Sequence, residues 1–331
     1  MELRQLRYFV RIVELRSMSK AAADLYIAQP ALSQQIAHLE DELRTKLLSR
    51  SARGVAPTDA GLVFYQHAQA VLRQIDRMRA EVTGGTEDPV GEVSVGLPTS
   101  VANVLAAPLL AATRERFPRI RLQLTESLSG HLEELLANGR IEMSVLFDRE
   151  RRPVQLRARP LVVEDLCLIA LRGSQRDDDE VPLVEAARCS FVLPTKGNAT
   201  RMLIDAAFSN AGLGLEVIAE LDSLSTIRSL VTRGLAATIL SASAFPGEDL
   251  RTTLRARRIV EPALSRSASL CTNDVTPLGV AGQCILELIP QVVDALVQSG
   301  EWAATAIAHH PAGTASRPGG AIGSLPIEAE R

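Results

Sequence analysis

Apolar residues recur through the first eighty positions at helical spacing, and they draw several distinct faces. Leu3, Leu6, Phe9, Val10 and Val13 mark one side of an opening helix. A short helix follows Ser19, whose hydroxyl stands as an N-cap ahead of Lys20-Ala21-Ala22-Ala23-Asp24-Leu25. Ala22 and Leu25 give it an apolar edge small enough for a neighbouring helix to approach. Gln29-Pro30 then restarts the chain, and proline suits a first helical turn because its missing N–H has no partner there. Leu32, Ile36, Leu39 and Leu43 follow at intervals of four, three and four residues, forming a single stripe. Pro30, Ser33, Gln34, Ala37 and His38 occupy the opposite face. A helix that buries leucines and presents amides and hydroxyls suits a major groove, where such groups pair with base edges. A structural helical hairpin with a solvated polar face carries the same spacing.

The next segment, Lys46 to Thr58, reads as a two-stranded wing turning at Gly54, with Arg50 and Arg53 placed to reach phosphates or a minor groove. Thr58-Asp59-Ala60 is a strong helix start, and the helix runs to about Thr83. Along it Phe64, Ala68, Val71, Ile75, Met78 and Val82 alternate four and three residues apart, a period that favours pairing with another helix. The same period also fits one amphipathic helix lying on its own domain. Residues 84–90, rich in glycine and acidic groups and containing Pro89, read as a hinge.

From residue 91 the texture changes to short apolar runs alternating with helical patterns. Strands are expected at 92–97, 120–125 and 142–146, with helices at 101–117 and 129–138 between them. This order implies a parallel sheet covered on both faces. A second set comprises strands at 166–170, 190–193, 215–220 and 237–240 and helices at 201–211 and 224–233. A strand at 267–271 and a helix at 277–296 return to the first set. Two lobes result, lobe I at about 91–160 and 267–300 and lobe II at about 161–266, with a cleft between them at strand ends. Residues 301–331, rich in Pro, Gly and Ala, read as a disordered tail.

Composition changes this picture little. Residues 1–58 hold nine Lys/Arg and six Asp/Glu, a net of +3 in a chain whose total is −3, so charge alone would not reveal a nucleic-acid partner. Cys167, Cys189, Cys271 and Cys284 are widely spaced and read as reduced thiols of a cytoplasmic protein. The five histidines show no metal-ligand spacing, and no metal or cofactor is expected. No apolar run stands out as a membrane span, and no membrane partner is expected. Nucleophile–base pairing and a phosphate-cradling glycine loop are both missing, which argues against an enzyme.

The runs AAADLYIAQPALSQQIAHLEDEL and LLSRSARGVAPTDAG resemble the winged helix-turn-helix of LysR-type transcriptional regulators, and the resemblance extends to about residue 300. Within the family, MELRQLRYFVRIVE, IAQPALSQQ and SGHLEELLANGRIEMSVLFD resemble the members that control nitrogen assimilation. The resemblance implies an α/β chain with an N-terminal winged helix-turn-helix at 1–58, a linker and dimerisation helix at 59–83, and a two-lobed sensor at 91–300 similar to periplasmic solute-binding proteins. It places DNA contacts on Gln29, Pro30, Ser33, Gln34 and Arg53, with Ala31 and Leu32 as packing residues. Effector contacts map onto Thr99, Ser100, Ser127, Thr195 and Asn198, although Ser and Thr at helix starts also serve as caps. The first turn at Pro98-Thr99-Ser100 could hold an anion, Glu126 lies close to it, and Ala236 stands where the family often has a second glycine. Promoter DNA, a small-molecule effector, RNA polymerase and further copies of the chain, as homodimer or homotetramer, are the implied partners. A cytosolic small-molecule binder whose N-terminal helices only mediate association is the alternative.

Overall fold

The protein is described by a computed structural model covering residues 1–51, 54–83, 89–148, 153–174, 178–245 and 247–307. At the N-terminus, helices α1 (Leu3–Leu15), α2 (Met18–Asp24) and α3 (Gln29–Leu43) precede a hairpin of β1 (Leu48–Ser51) and β2 (Gly54–Pro57). Phe9, Ile12, Ala21, Leu32, Ile36, Leu39 and Leu47 share one small core. The cap of α2 is Ser17, not Ser19, its hydroxyl accepting from the Lys20 N–H at 3.3 Å. Leu3 and Leu43 fall outside the core at 45% and 38% exposure, because each lies at a helix end beyond the neighbour that would cover it.

Helix α4 (Asp59–Thr83) leaves the wing through a close approach. Thr58 accepts the Gly61 N–H at 3.0 Å, capping the first turn. A side chain on Gly61 would place its Cβ 2.0 Å from the Leu47 carbonyl oxygen, so only glycine lets the helix lie against the wing root. Phe64 stacks edge-to-face on Phe9 with ring centroids 5.0 Å apart. Ala68 is buried against Leu6 and Val10. These two proposed dimer-seam positions are therefore taken up inside the protomer, because α1 competes for the same face. Val71 and Met78 remain exposed at 44% and 56%, together with Val63 about two turns below. Ile75 is half-buried, and the side chain of Val82 lies outside the described residues. Of the proposed hinge, residues 84–88 also lie outside them.

Lobe I begins with β3 (Gly91–Pro98), α5 (Thr99–Arg116), β4 (Ile120–Ser127), α6 (Ser129–Ala137) and β5 (Met143–Phe147). Strands β4, β3 and β5 are parallel, as the alternating order requires. All five residues of β5 are buried, the pattern of a central strand covered on both faces. Then comes β6 (Leu156–Leu171), a 16-residue strand that serves both lobes.

Lobe II contains β7 (Glu180–Pro182), α7 (Leu183–Ala186), β8 (Phe191–Leu193), α8 (Ala199–Asn210), β9 (Val217–Glu220), α9 (Leu224–Thr232), β10 (Thr238–Ser241), α10 (Gly247–Thr252) and β11 (Leu254–Val260). The chain returns through β12 (Ser265–Asn273), α11 (Val280–Gln298) and β13 (Thr305–Ala306).

The structure departs from the sequence expectations at several points. The sheet is mixed, since β12 runs antiparallel to both β5 and β6. Leu161 and Val162 belong to the lobe I core, so the lobes divide further along β6 than residue 160. The tail begins later than 301: Trp302 is 1% exposed in the lobe I core and β13 pairs with β6, while residues 308–331 lie outside the described chain. An apolar helix of span length does exist. Helix α11 has 19 residues and mean hydropathy 1.5, and its Ile285, Ile289 and Val293 are wholly buried in the lobe I core.

Candidate functional site

Two places bring chemistry-bearing side chains together. The first is the outer face of α3. With Leu32, Ile36 and Leu39 sealed at 1% exposure or less, the helix cannot rotate. Gln29, Pro30, Gln34 and His38 are exposed and Ser33 half-buried. Gln29 Nε2 donates to Ser33 Oγ at 2.9 Å, which orients both groups on that face. Ala31, expected to pack, is exposed. Tyr26, 95% exposed with φ 55°, stands in the turn before the helix. No apolar period could have flagged it, since turn residues belong to no stripe.

The far end of α3 is fixed by Glu40. Its buried carboxylate accepts the Leu47 and Leu48 N–H groups at 2.9 and 3.0 Å and the Lys46 ammonium at 2.8 Å. Burial works to raise its pKa, but Lys46 and the two amides outweigh that and hold it below the ordinary carboxylate range. Helix α3 and the wing are thereby tied together. Arg50 stands in β1, but its side chain, like the whole of Arg53, lies outside the described residues.

The second place is a cleft of about 270 Å³ between the lobes. Thr99, Ser100, Ser127, Thr195 and Asn198 all line it. Their roles differ. Asn198 caps α8, its Oδ1 accepting the Thr200 N–H at 2.9 Å. Thr195 donates its N–H and hydroxyl to the Asp222 carboxylate at 3.1 and 2.7 Å. Thr99, Ser100 and Ser127 are not caps, because Pro98 holds the cap position of α5 and Leu128 that of α6, neither with a side-chain acceptor.

The floor of the cleft was invisible in the sequence. Arg266, in β12, meets Glu164, in β6, with its Nη2 2.7 Å from a carboxylate oxygen, and both side chains are 4% exposed or less. The guanidinium also donates to Thr200 at 2.8 Å, Ser100 at 2.9 Å and Ser241 at 2.6 Å, and lies 3.7 Å from the centre of the Phe147 ring. Glu164 further accepts from Ser243 and from the Trp302 indole N–H. Burial alone would drive the Glu164 pKa up, yet Arg266 and these donors hold it below the ordinary range. The groups come from seven separate segments, which no spacing rule connects.

The comparisons with known proteins are decisive. Residues 3–62 match the bacterial regulatory helix-turn-helix protein, lysR family, and residues 86–294 match the LysR substrate binding domain. The chain belongs to the LysR family of transcriptional regulators. Nitrogen assimilation regulatory protein nac of Klebsiella aerogenes is 36% identical over 295 residues, covering 88% of this chain and 95% of that protein. Its Escherichia coli (strain K12) counterpart is 35% identical over 305 residues, covering 91% and 99%. Among solved structures, a full-length OxyR variant from Pseudomonas aeruginosa has TM-score 0.69 at 20% identity, covering 94% of this chain and 99% of that one. Full-length CbnR complexed with target DNA has TM-score 0.65 at 24% identity, covering 89% and 99%. At these identities the two structures speak for the fold. The LysR assignment accounts for both sites at once: a helix-turn-helix at one end and an effector-binding domain at the other.

Proposed function

We propose that this LysR regulator reads promoter DNA through Gln29, Pro30, Ser33 and Gln34 of α3, assisted by the wing arginines Arg50 and Arg53, as a homo-oligomer. A small-molecule effector in the interlobe cleft biases one assembly against another. Since linkage is reciprocal, such an effector must bind one arrangement better, typically by about 1–3 kcal/mol. The likeness to the nac proteins supports a place in nitrogen assimilation, with action in the cytoplasm and contact with RNA polymerase at the promoter. One observation carries the reading: α3 buries Leu32, Ile36 and Leu39 completely and leaves Gln29, Pro30 and Gln34 exposed on its opposite face.

The experiment selects genomic fragments with the purified protein and measures their affinity by fluorescence anisotropy over a range of salt. Gln29→Ala and Gln34→Ala are expected to weaken binding by about 5–150-fold, the worth of about 1–3 kcal/mol in a base contact, with melting temperature unchanged. Wild-type affinity in both variants overturns the assignment of α3. A flat salt response overturns DNA binding as such.

A further inference from the structure

Hydrogen-bond direction at the cleft floor specifies what the cleft can hold. A carboxylate only accepts, so Ser243 gives its single proton to Glu164. The 2.7 Å contact between Ser241 and Ser243 therefore runs from Ser241 to Ser243. Ser241 in turn accepts from Arg266. Arg266, Ser241, Ser243 and Glu164 close a ring in which no hydroxyl proton is left over.

Ser100 and Thr200 stand differently. Each accepts an N–H from Arg266, at 2.9 and 2.8 Å, so each must turn its own O–H away from the guanidinium. Neither hydroxyl finds an acceptor among the described residues, yet both line the cleft and are only 5% and 2% exposed. A buried donor left unpaired is costly, so this pair demands an acceptor. Ser100 stands in the first turn of α5 and Thr200 in that of α8, one from each lobe. Around them the uncapped first turns of α5 and α6 add free N–H groups and a positive dipole end. Lys196 brings a cation with no partner among the described residues. This half of the lining matches a carboxylate.

The other pole is Asp222. Its two oxygens are held by Thr195 alone, and it forms no ion pair among the described residues. A fixed carboxylate in the same small cavity matches an ammonium group. Resting on the reading of the cleft as the effector site, we propose that the ligand is a small zwitterion of the α-amino acid type. Its carboxylate lies on the Ser100 and Thr200 hydroxyls and its ammonium on Asp222. Arg266, itself part of the cleft lining, is a positioning residue that aims both hydroxyls.

The test titrates full-length protein with each proteinogenic amino acid, following melting temperature and the emission of Trp302, the only tryptophan in the chain. That indole donates to Glu164 at 2.9 Å, so it reports on the cleft floor. At least one amino acid is expected to bind, with its 2-oxo acid and its decarboxylated amine each weaker by roughly tenfold or more, the worth of a charged hydrogen bond. Asp222→Asn, a change at an exposed side chain, should weaken the amino acid by roughly tenfold and leave the 2-oxo acid unchanged. Ser100→Ala should weaken both.

A 2-oxo acid that binds as tightly as its amino acid overturns the proposal, as does an Asp222→Asn variant with unaltered preference or a panel without a binder. Anisotropy on the selected fragments in the same preparations separates these failures from failure of the regulator reading, which would abolish DNA binding instead.

Discussion

Replacing Arg266 with Met removes the cation from the cleft floor while keeping most of the side-chain volume. Glu164 is wholly buried, and the change leaves its charge without a counter-ion in the protein interior. Breaking a buried pair in this way costs about 3–5 kcal/mol. For a domain the size of the sensor, residues 86–294, each kcal/mol is worth about 2–4 °C, so the melting temperature should fall by about 6–20 °C near neutral pH. The pH dependence distinguishes a lost charge from lost packing. In the native protein the Glu164 pKa lies below its ordinary value, so its contribution is present above that value and is lost as pH falls through the folded pKa. Without Arg266, burial is opposed only by the Ser243 and Trp302 donors and the pKa rises, so the variant regains stability as acid protonates the carboxyl. Its deficit relative to wild type should therefore shrink between pH 7.5 and pH 5. Adding Glu164→Gln to Arg266→Met should restore about 1–3 kcal/mol through coupling. Thermal and urea unfolding followed by Trp302 fluorescence measure all of this. A deficit that is equal at both pH values, or a double variant that only adds the two losses, would refute the reasoning.

Three further outcomes can be checked with simple assays. Glu40→Ala leaves the buried Leu47 and Leu48 amides without an acceptor and should destabilise the N-terminal domain by about 2–4 kcal/mol in urea unfolding. Because the Glu40 pKa is depressed, wild type should lose this advantage as pH drops below the ordinary carboxylate range, and an unchanging gap would contradict the sign. Val71→Asp with Met78→Asp places charge on the exposed apolar stripe of α4 and should weaken self-association at least about 100-fold, read as a lower mass in sedimentation. The same mass as wild type would remove α4 from the interface. Burial pushes the Cys167 thiol up to about 12, so iodoacetamide at pH 8 should leave it unmodified in the native protein and alkylate it in urea. Rapid labelling of the native protein would show that the site opens readily.

Local chemistry along the chain was enough to define helix α3. Gln29-Pro30 starts it, and three of its four stripe leucines or isoleucines reach the core, because an apolar stripe on a helix has one stable orientation. The alternating runs from 91 onward likewise determined β3, α5, β4, α6 and β5, since each needs only its own periodicity and a strand beside it. Single residues failed where neighbours compete: Phe64 and Ala68 have the spacing of a helix–helix seam, but α1 reaches them first. Trp302 reads as part of a disordered tail rich in Pro, Gly and Ala until α11 carries it back to β6. Tertiary structure alone decided the cleft floor. Arg266 and Glu164 are about a hundred residues apart, on two strands whose antiparallel pairing no local pattern announces. A buried charge is tolerated only where distant segments supply its counter-charge and hydrogen bonds together, and that condition is met by the folded chain as a whole.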